Sequence, residues 1–255
     1  MTVVEVMGES LYYECHGDGE ECPIVLVHGA GGDHSHWPVE LGDLPGCRVF
    51  YLDLPGHGQS PGPGRDNVPA YAELIARFIE TLGLSQVILC GHSMGGAIVL
   101  TLAVQRPDWL QAIVVAGSGA RLKVLPSLVE QVESDYPTAV TALCHNLFGP
   151  DAAPERVAEE RVRYARTPWR IVRDDFLACN GFDLMGQLAD IDVPTLVVGG
   201  DSDLLTPLKY GQFLKDQIPG ARLAIIGRAG HMLAIEKPVE FKACVEEFLG
   251  SLPVR

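Results

Sequence analysis

The stretch Val87-Ile88-Leu89-Cys90-Gly91-His92-Ser93-Met94-Gly95-Gly96-Ala97-Ile98-Val99-Leu100 decides how this chain folds. Val87 to Cys90 is a short apolar run of strand character that ends at Gly91. Met94 to Gln105 has helical character and is stopped by Arg106-Pro107. The sequence therefore predicts a buried strand, a sharp turn carrying Gly-x-Ser-x-Gly, and a helix. A side chain on such a turn sits in a strained backbone conformation. Gly91 and Gly95 leave room for the turn to pack closely. The helix N-terminus points its free N–H groups at any anion formed beside Ser93.

Outward from this unit the alternation repeats. Ile24 to Val27, Arg48 to Leu52, Ala112 to Ala116, Thr195 to Val198 and Leu223 to Ile226 read as further short strands. Tyr71 to Thr81 and Val239 to Leu249 read as helices, and Val3 to Val6 with Ser10 to Cys15 as an antiparallel hairpin. Strands alternating with helices predict an α/β fold, a mostly parallel central sheet with helices on both faces. Polar and Gly-rich clusters follow Val27, Leu52, Cys90 and Val198, so the chemistry is expected at the carboxyl ends of the strands. Gly119 to Asp192 breaks the pattern. It shows no clear strand, and Ser127 to Leu147 and Glu155 to Ala165 have amphipathic helical spacing. The expected organisation is a core of residues 1–118 and 193–255 with an inserted helical cap, 119–192.

Composition narrows the function. The 255 residues carry 33 acidic and 19 basic side chains, a net charge of −14, which repels phosphate backbones and anionic membranes. Neither a nucleic-acid nor a membrane partner is expected. No apolar run approaches the ~20 residues of a membrane span, and Met1 to Ser10 lacks the features of a signal peptide. The seven cysteines form no Cys-x-x-Cys pair, which argues against structural zinc and suits a reducing cytoplasm. Asp33-His34-Ser35-His36 lacks a second ligand group at suitable spacing, so no metal is expected. The Gly29-x-Gly31-Gly32 pattern is not a nucleotide-binding fingerprint, and no cofactor is expected.

A serine hydroxyl needs a positioned base to act as a nucleophile. His231 stands in Gly230-His231-Met232, just past the last expected strand, at the sheet edge that carries Ser93. His92 adjoins Ser93, but a neighbour on a sharp turn points elsewhere. The base in turn needs an orienting carboxylate. Asp203 and Asp201 both follow the penultimate strand; Asp203 lies further out along the loop, nearer His231. An oxyanion needs two backbone N–H donors. Met94 supplies one, and the small-residue loop His28-Gly29-Ala30-Gly31-Gly32 supplies the other, from Ala30 or, less favourably, Gly31.

Taken together, these motifs resemble the α/β-hydrolase superfamily, in its cap-bearing, serine esterase-like branch. The matching segments are His28 to Gly32, Asp53-Leu54-Pro55-Gly56-His57-Gly58-Gln59-Ser60, Gly91 to Gly95, Asp203 with Pro207, and Gly230-His231 followed by Glu236-Lys237-Pro238. The order Ser, Asp, His matches that family. The resemblance implies a serine hydrolase that cleaves small-molecule carboxylic esters through an acyl-enzyme, with Asp53 to Ser60 as a structural turn. Carbon–carbon bond hydrolysis or elimination, thioester hydrolysis, perhydrolysis and a non-enzymatic small-molecule receptor are the alternatives on the same fold. Leu143, Leu147, Phe148, Trp169, Phe176, Leu184 and Met185 are the expected cap residues of the acyl pocket, with Trp169 as the aromatic candidate for binding substrate. Oligomeric state has no signature in the sequence.

Overall fold

Alternate residues of each central strand enter opposite layers of core, which is what a sheet covered on both faces requires. In the computed structural model, which describes residues 2–19 and 22–253, Val25 and Val27 face one apolar cluster while Ile24 and Leu26 face the other. The strands are β1 (Thr2–Val6), β2 (Glu9–His16), β3 (Cys22–Val27), β4 (Cys47–Leu52), β5 (Val87–His92), β6 (Leu110–Ala116), β7 (Thr195–Gly200) and β8 (Arg222–Ile226). They form one eight-stranded sheet in the order β1-β2-β4-β3-β5-β6-β7-β8. β1 and β2 are the expected antiparallel hairpin, β2 runs antiparallel to β4, and the remaining pairings are parallel. β6 pairs with β7 in a register that sets Ile113 against Thr195.

The helices are α1 (Val68–Thr81), α2 (Met94–Gln105), α3 (Pro126–Ser134), α4 (Tyr136–His145), α5 (Pro154–Tyr164), α6 (Trp169–Gly181), α7 (Lys209–Gln217), α8 (Leu233–Glu236) and α9 (Pro238–Gly250). Helix α1 starts where Asn67 accepts a hydrogen bond from the Ala70 N–H at 2.9 Å, an N-cap. Helices α1, α2 and α7 pack on one face; α9 and the Trp37–Leu44 segment pack on the other. Helix α2 is buried around almost its whole circumference, and this fixes the turn that precedes it.

Four helices, α3 to α6, lie between β6 and β7. The Ser127–Leu147 stretch divides at Asp135, which accepts from the Thr138 N–H, because Pro137 is tolerated only in the first turn of a helix. Leu143, Leu147, Phe148, Tyr164, Val172 and Phe176 form a cluster of their own, joined by Met232 and Ile235. The periodicity did not anticipate α6 and α7. Helix α6 carries the buried Asp175 on its apolar face, and α7 buries only Gly211 and Leu214, so neither shows a clean stripe. Among the described residues, no helix is long and apolar enough to cross a membrane.

Candidate active site

The turn after β5 brings Ser93 to the carboxyl edge of the sheet with φ 53° and ψ −115°. Such a conformation costs about 1–3 kcal/mol in a non-glycine residue and persists only where its surroundings enforce it. Here the Ser93 N–H donates to the Ala116 carbonyl at 2.9 Å, and the Ser118 hydroxyl donates to the Ser93 carbonyl at 2.8 Å. A Cβ at Gly91 would strike the Gly95 carbonyl, and one at Gly95 would strike that of Val27, so both positions must be glycine.

The loop after β8 carries His231 to Ser93. His231 Nε2 lies 3.0 Å from Ser93 Oγ, and its Nδ1 lies 2.9 Å from Oδ2 of Asp203, in the loop after β7. Burial alone would raise the Asp203 pKa. The charge and hydrogen bond of His231, with the N–H and hydroxyl of Thr206, outweigh it and hold the carboxyl below its ordinary range. Thr206 contributes an N–H at 2.9 Å to Oδ1 and a hydroxyl at 2.7 Å to Oδ2, and the Leu205 N–H adds a third bond at 2.8 Å. Asp201 plays a different part. It is exposed, and its Oδ1 accepts from the Arg228 N–H at 2.6 Å, closing the turn after β8.

His92 does not face Ser93 Oγ. Its Nε2 donates to the His231 carbonyl at 2.9 Å, bracing that loop. Burial and the neighbouring His231 push its pKa down to about 3, so the ring is neutral. Glu236 braces the same loop by accepting from Gly230 N–H at 3.0 Å and from Gly149 N–H at 2.7 Å. His28 is likewise neutral, its pKa lowered by burial and then by the charge of His57. Its Nδ1–H meets the Gly29 carbonyl at 2.8 Å while Nε2 accepts from the Leu54 N–H at 3.1 Å.

Met94 follows Ser93 at the start of α2, Ala30 lines the same cavity as Ser93, and neither N–H meets an acceptor among the described residues. A cavity of about 680 Å³ opens over Ser93. Its walls include Leu122, Val124, Leu143, Leu147, Phe176 and Met232. Trp169, expected at this wall, is not part of it. It starts α6, where its ring lies under the guanidinium groups of Arg170 and Arg173, 4.6 and 5.5 Å away, and packs half-buried against the helical cluster. Phe148, Leu184 and Met185 are also outside the wall. Leu184 packs against the main core and Met185 is largely exposed, because the chain after α6 runs back toward the sheet.

Asp33, His34 and Asp53 come close enough for their ligand atoms to lie within 4.8 Å of one another. The Asp53 oxygens are occupied by N–H donors instead: the His34 N–H and Nδ1 at 2.6 and 2.9 Å, and the Gln59 N–H at 2.8 Å. This knot ties the loop after β3 to the Asp53–Ser60 turn.

A family model described as the alpha/beta hydrolase fold matches residues 23–238. A 2-hydroxymuconate semialdehyde hydrolase of Pseudomonas putida is 28% identical over 262 residues, covering 96% of this chain and 93% of its own. The crystal structure of an enol-lactonase from Burkholderia xenovorans LB400 superposes with a TM-score of 0.91 at 26% identity, covering 98% of this chain and all of its own. A thermophilic esterase superposes with a TM-score of 0.87 at 31% identity, covering 100% of this chain and 98% of its own.

Proposed function

The chain belongs to the alpha/beta hydrolase family, and from that premise we propose that it is a serine hydrolase cleaving small-molecule carboxylic esters through an acyl-enzyme. The observation that carries this reading is the contact of His231 Nε2 with Ser93 Oγ at 3.0 Å, with Asp203 on the other ring nitrogen. Ser93 Oγ attacks the ester carbonyl carbon as His231 Nε2 takes its proton. The carbonyl oxygen becomes an oxyanion between the Ala30 and Met94 N–H groups, where fixed donors favour the developing charge over the neutral ester. The C–O bond to the alcohol then breaks, and His231 returns the proton to the leaving oxygen. Water, deprotonated by His231, attacks the acyl carbon and releases the acid and Ser93. Asp203 holds the imidazole in the working tautomer throughout.

Residues 119–192 act as a cap in this reading, since α3, α4 and α6 supply much of the apolar wall. The apolar wall suits an acyl chain. The seven free cysteines suit a reducing cytoplasm.

The test is turnover of short-acyl p-nitrophenyl esters by the wild type and Ser93→Ala. Ser93→Ala is expected to keep only the residual that the oxyanion donors and binding supply, a loss on the order of 10⁶ in kcat. Near wild-type turnover by Ser93→Ala sinks the reading. Parallel assays with a lactone, a thioester, a ring-cleavage diketone and peroxide-dependent acyl transfer rank the substrate classes. A faster diketone than ester reaction would transfer the proposal to carbon–carbon hydrolysis.

A further inference from the structure

The loop that carries the Ala30 N–H is held by side chains of the helical insertion. Three successive peptide units are fixed. The Gly29 carbonyl accepts from the Gly32 N–H at 3.1 Å. In a trans peptide the N–H points opposite to the carbonyl, so this bond directs the Ala30 N–H away from the Gly29–Gly32 turn. In the next unit, the Ala30 carbonyl accepts from the Tyr164 hydroxyl, and the Gly31 N–H donates to Oδ2 of Asp175 at 2.7 Å. In the third, Thr167 Oγ1 donates to the Gly31 carbonyl at 3.0 Å. Tyr164 ends α5, Thr167 lies between α5 and α6, and Asp175 sits in the middle of α6.

Asp175 is fully buried, and its carboxylate is bound from three directions. Besides the Gly31 N–H, it meets His57 Nε2 at 2.8 Å and the Tyr71 hydroxyl at 2.7 Å. His57 Nδ1 faces the Pro55 carbonyl at 3.0 Å. A carbonyl and a carboxylate only accept, so both ring nitrogens of His57 carry hydrogen and the ring is an imidazolium. Burial opposes that charge, but the charge and hydrogen bond of Asp175 overcome it and raise the His57 pKa. The result is a buried ion pair between the insertion and the Asp53–Ser60 turn. Breaking one side of such a pair is far more damaging than its net stabilising contribution suggests.

We propose that Asp175 and Tyr164 are positioning residues for the oxyanion loop, so that the helical insertion, by fixing the adjoining Ala30–Gly31 peptide unit, holds the loop that presents the Ala30 N–H as well as walling the cavity. Rotating the Ala30–Gly31 peptide unit would break both of its bonds at once, and each partner belongs to the insertion. This inference rests on the serine-hydrolase reading with Ala30 as an oxyanion donor.

The experiment compares wild type, Asp175→Asn and Tyr164→Phe as full chains. It reads the rate at which a fluorophosphonate labels Ser93, kcat and KM for a short p-nitrophenyl ester, and inhibition by a trifluoromethyl ketone. Melting curves establish that each variant is folded. Asp175→Asn is expected to lower kcat, the labelling rate and the ketone affinity together, by about tenfold or more. KM should stay within about threefold, because the loss falls on the transition state. Tyr164→Phe removes one hydroxyl and should give the same pattern more weakly. Folded variants with wild-type kcat and labelling overturn the proposal, and so does a loss confined to KM, which would assign both residues to cavity shape. If Asp175→Asn does not fold, Tyr164→Phe decides alone. If the wild type neither labels at Ser93 nor turns over ester, the serine-hydrolase reading fails first and this inference falls with it.

Discussion

Asp201 and Asp203 share one loop but meet different partners. Asp203 is buried against His231, whereas Asp201 is exposed and bound to the Arg228 N–H. Asp203→Asn is therefore expected to cut kcat by about 10⁴, since an amide cannot hold the imidazole in the same tautomer. Asp201→Asn should change kcat by less than about threefold; the opposite ordering in measured kcat would give the orienting role to Asp201. Thr206→Val removes one hydroxyl from Asp203 Oδ2 and should lower kcat roughly fivefold, the worth of about one ordinary hydrogen bond. The meeting of Ser93, His231 and Asp203 was legible because each follows a strand of one parallel sheet, and the strands could be read. Thr206 was not read, although an acid accepting N–H bonds from residues just downstream is a common loop device. Asp175 had no sequence signal: its partners Gly31, His57 and Tyr71 lie far away in the chain.

Among the elements, the helical insertion was legible as helices without strands but not as a surface. A wall residue can be assigned only when the direction of its helix is known. Leu143, Leu147 and Phe176 reach the cavity, while Trp169 lies outside its wall, under two arginines. Phe176→Ala should extend the preferred acyl chain by enlarging the cavity. Each further methylene buried is worth about 0.8 kcal/mol, roughly fourfold in kcat/KM. Trp169→Ala should leave the chain-length profile unchanged. A series of p-nitrophenyl esters of increasing length checks both, and a shift with Trp169→Ala but none with Phe176→Ala would reverse the assignment. Helices α6 and α7 escaped the periodicity because a buried ion pair and a glycine occupy places where apolar side chains were sought.

For the whole molecule, buried and half-buried histidines of opposite habit set the dependence of stability on pH. Burial opposes charge on His34, His36 and His57, yet their partners Asp53, Glu160 and Asp175 raise their pKa values. Their contribution is complete below the ordinary histidine pKa of about 6.5 and is lost as pH rises through the folded values. His28 and His92 are lowered, chiefly by burial, so they favour the folded state above about pH 6.5 and cease to do so on acidification. Asp203, also lowered, adds to the loss at acid pH below about 3.9, its ordinary value. The melting temperature should therefore peak near neutrality and fall on both sides; a monotonic change between about pH 5 and 9 would contradict this balance. The β6–β7 pairing carries another consequence, for the order in which the molecule assembles. Ile113 and Thr195 are neighbours in the sheet although about 80 residues of chain loop out between them, a closure that costs entropy before any contact repays it. β7, β8 and their loops hold Asp203 and His231, whereas Ser93 belongs to the half of the sheet made earlier in the chain. During refolding from denaturant, helical signal and tryptophan burial should recover first, and hydrolase activity should be regained in a later, slower phase.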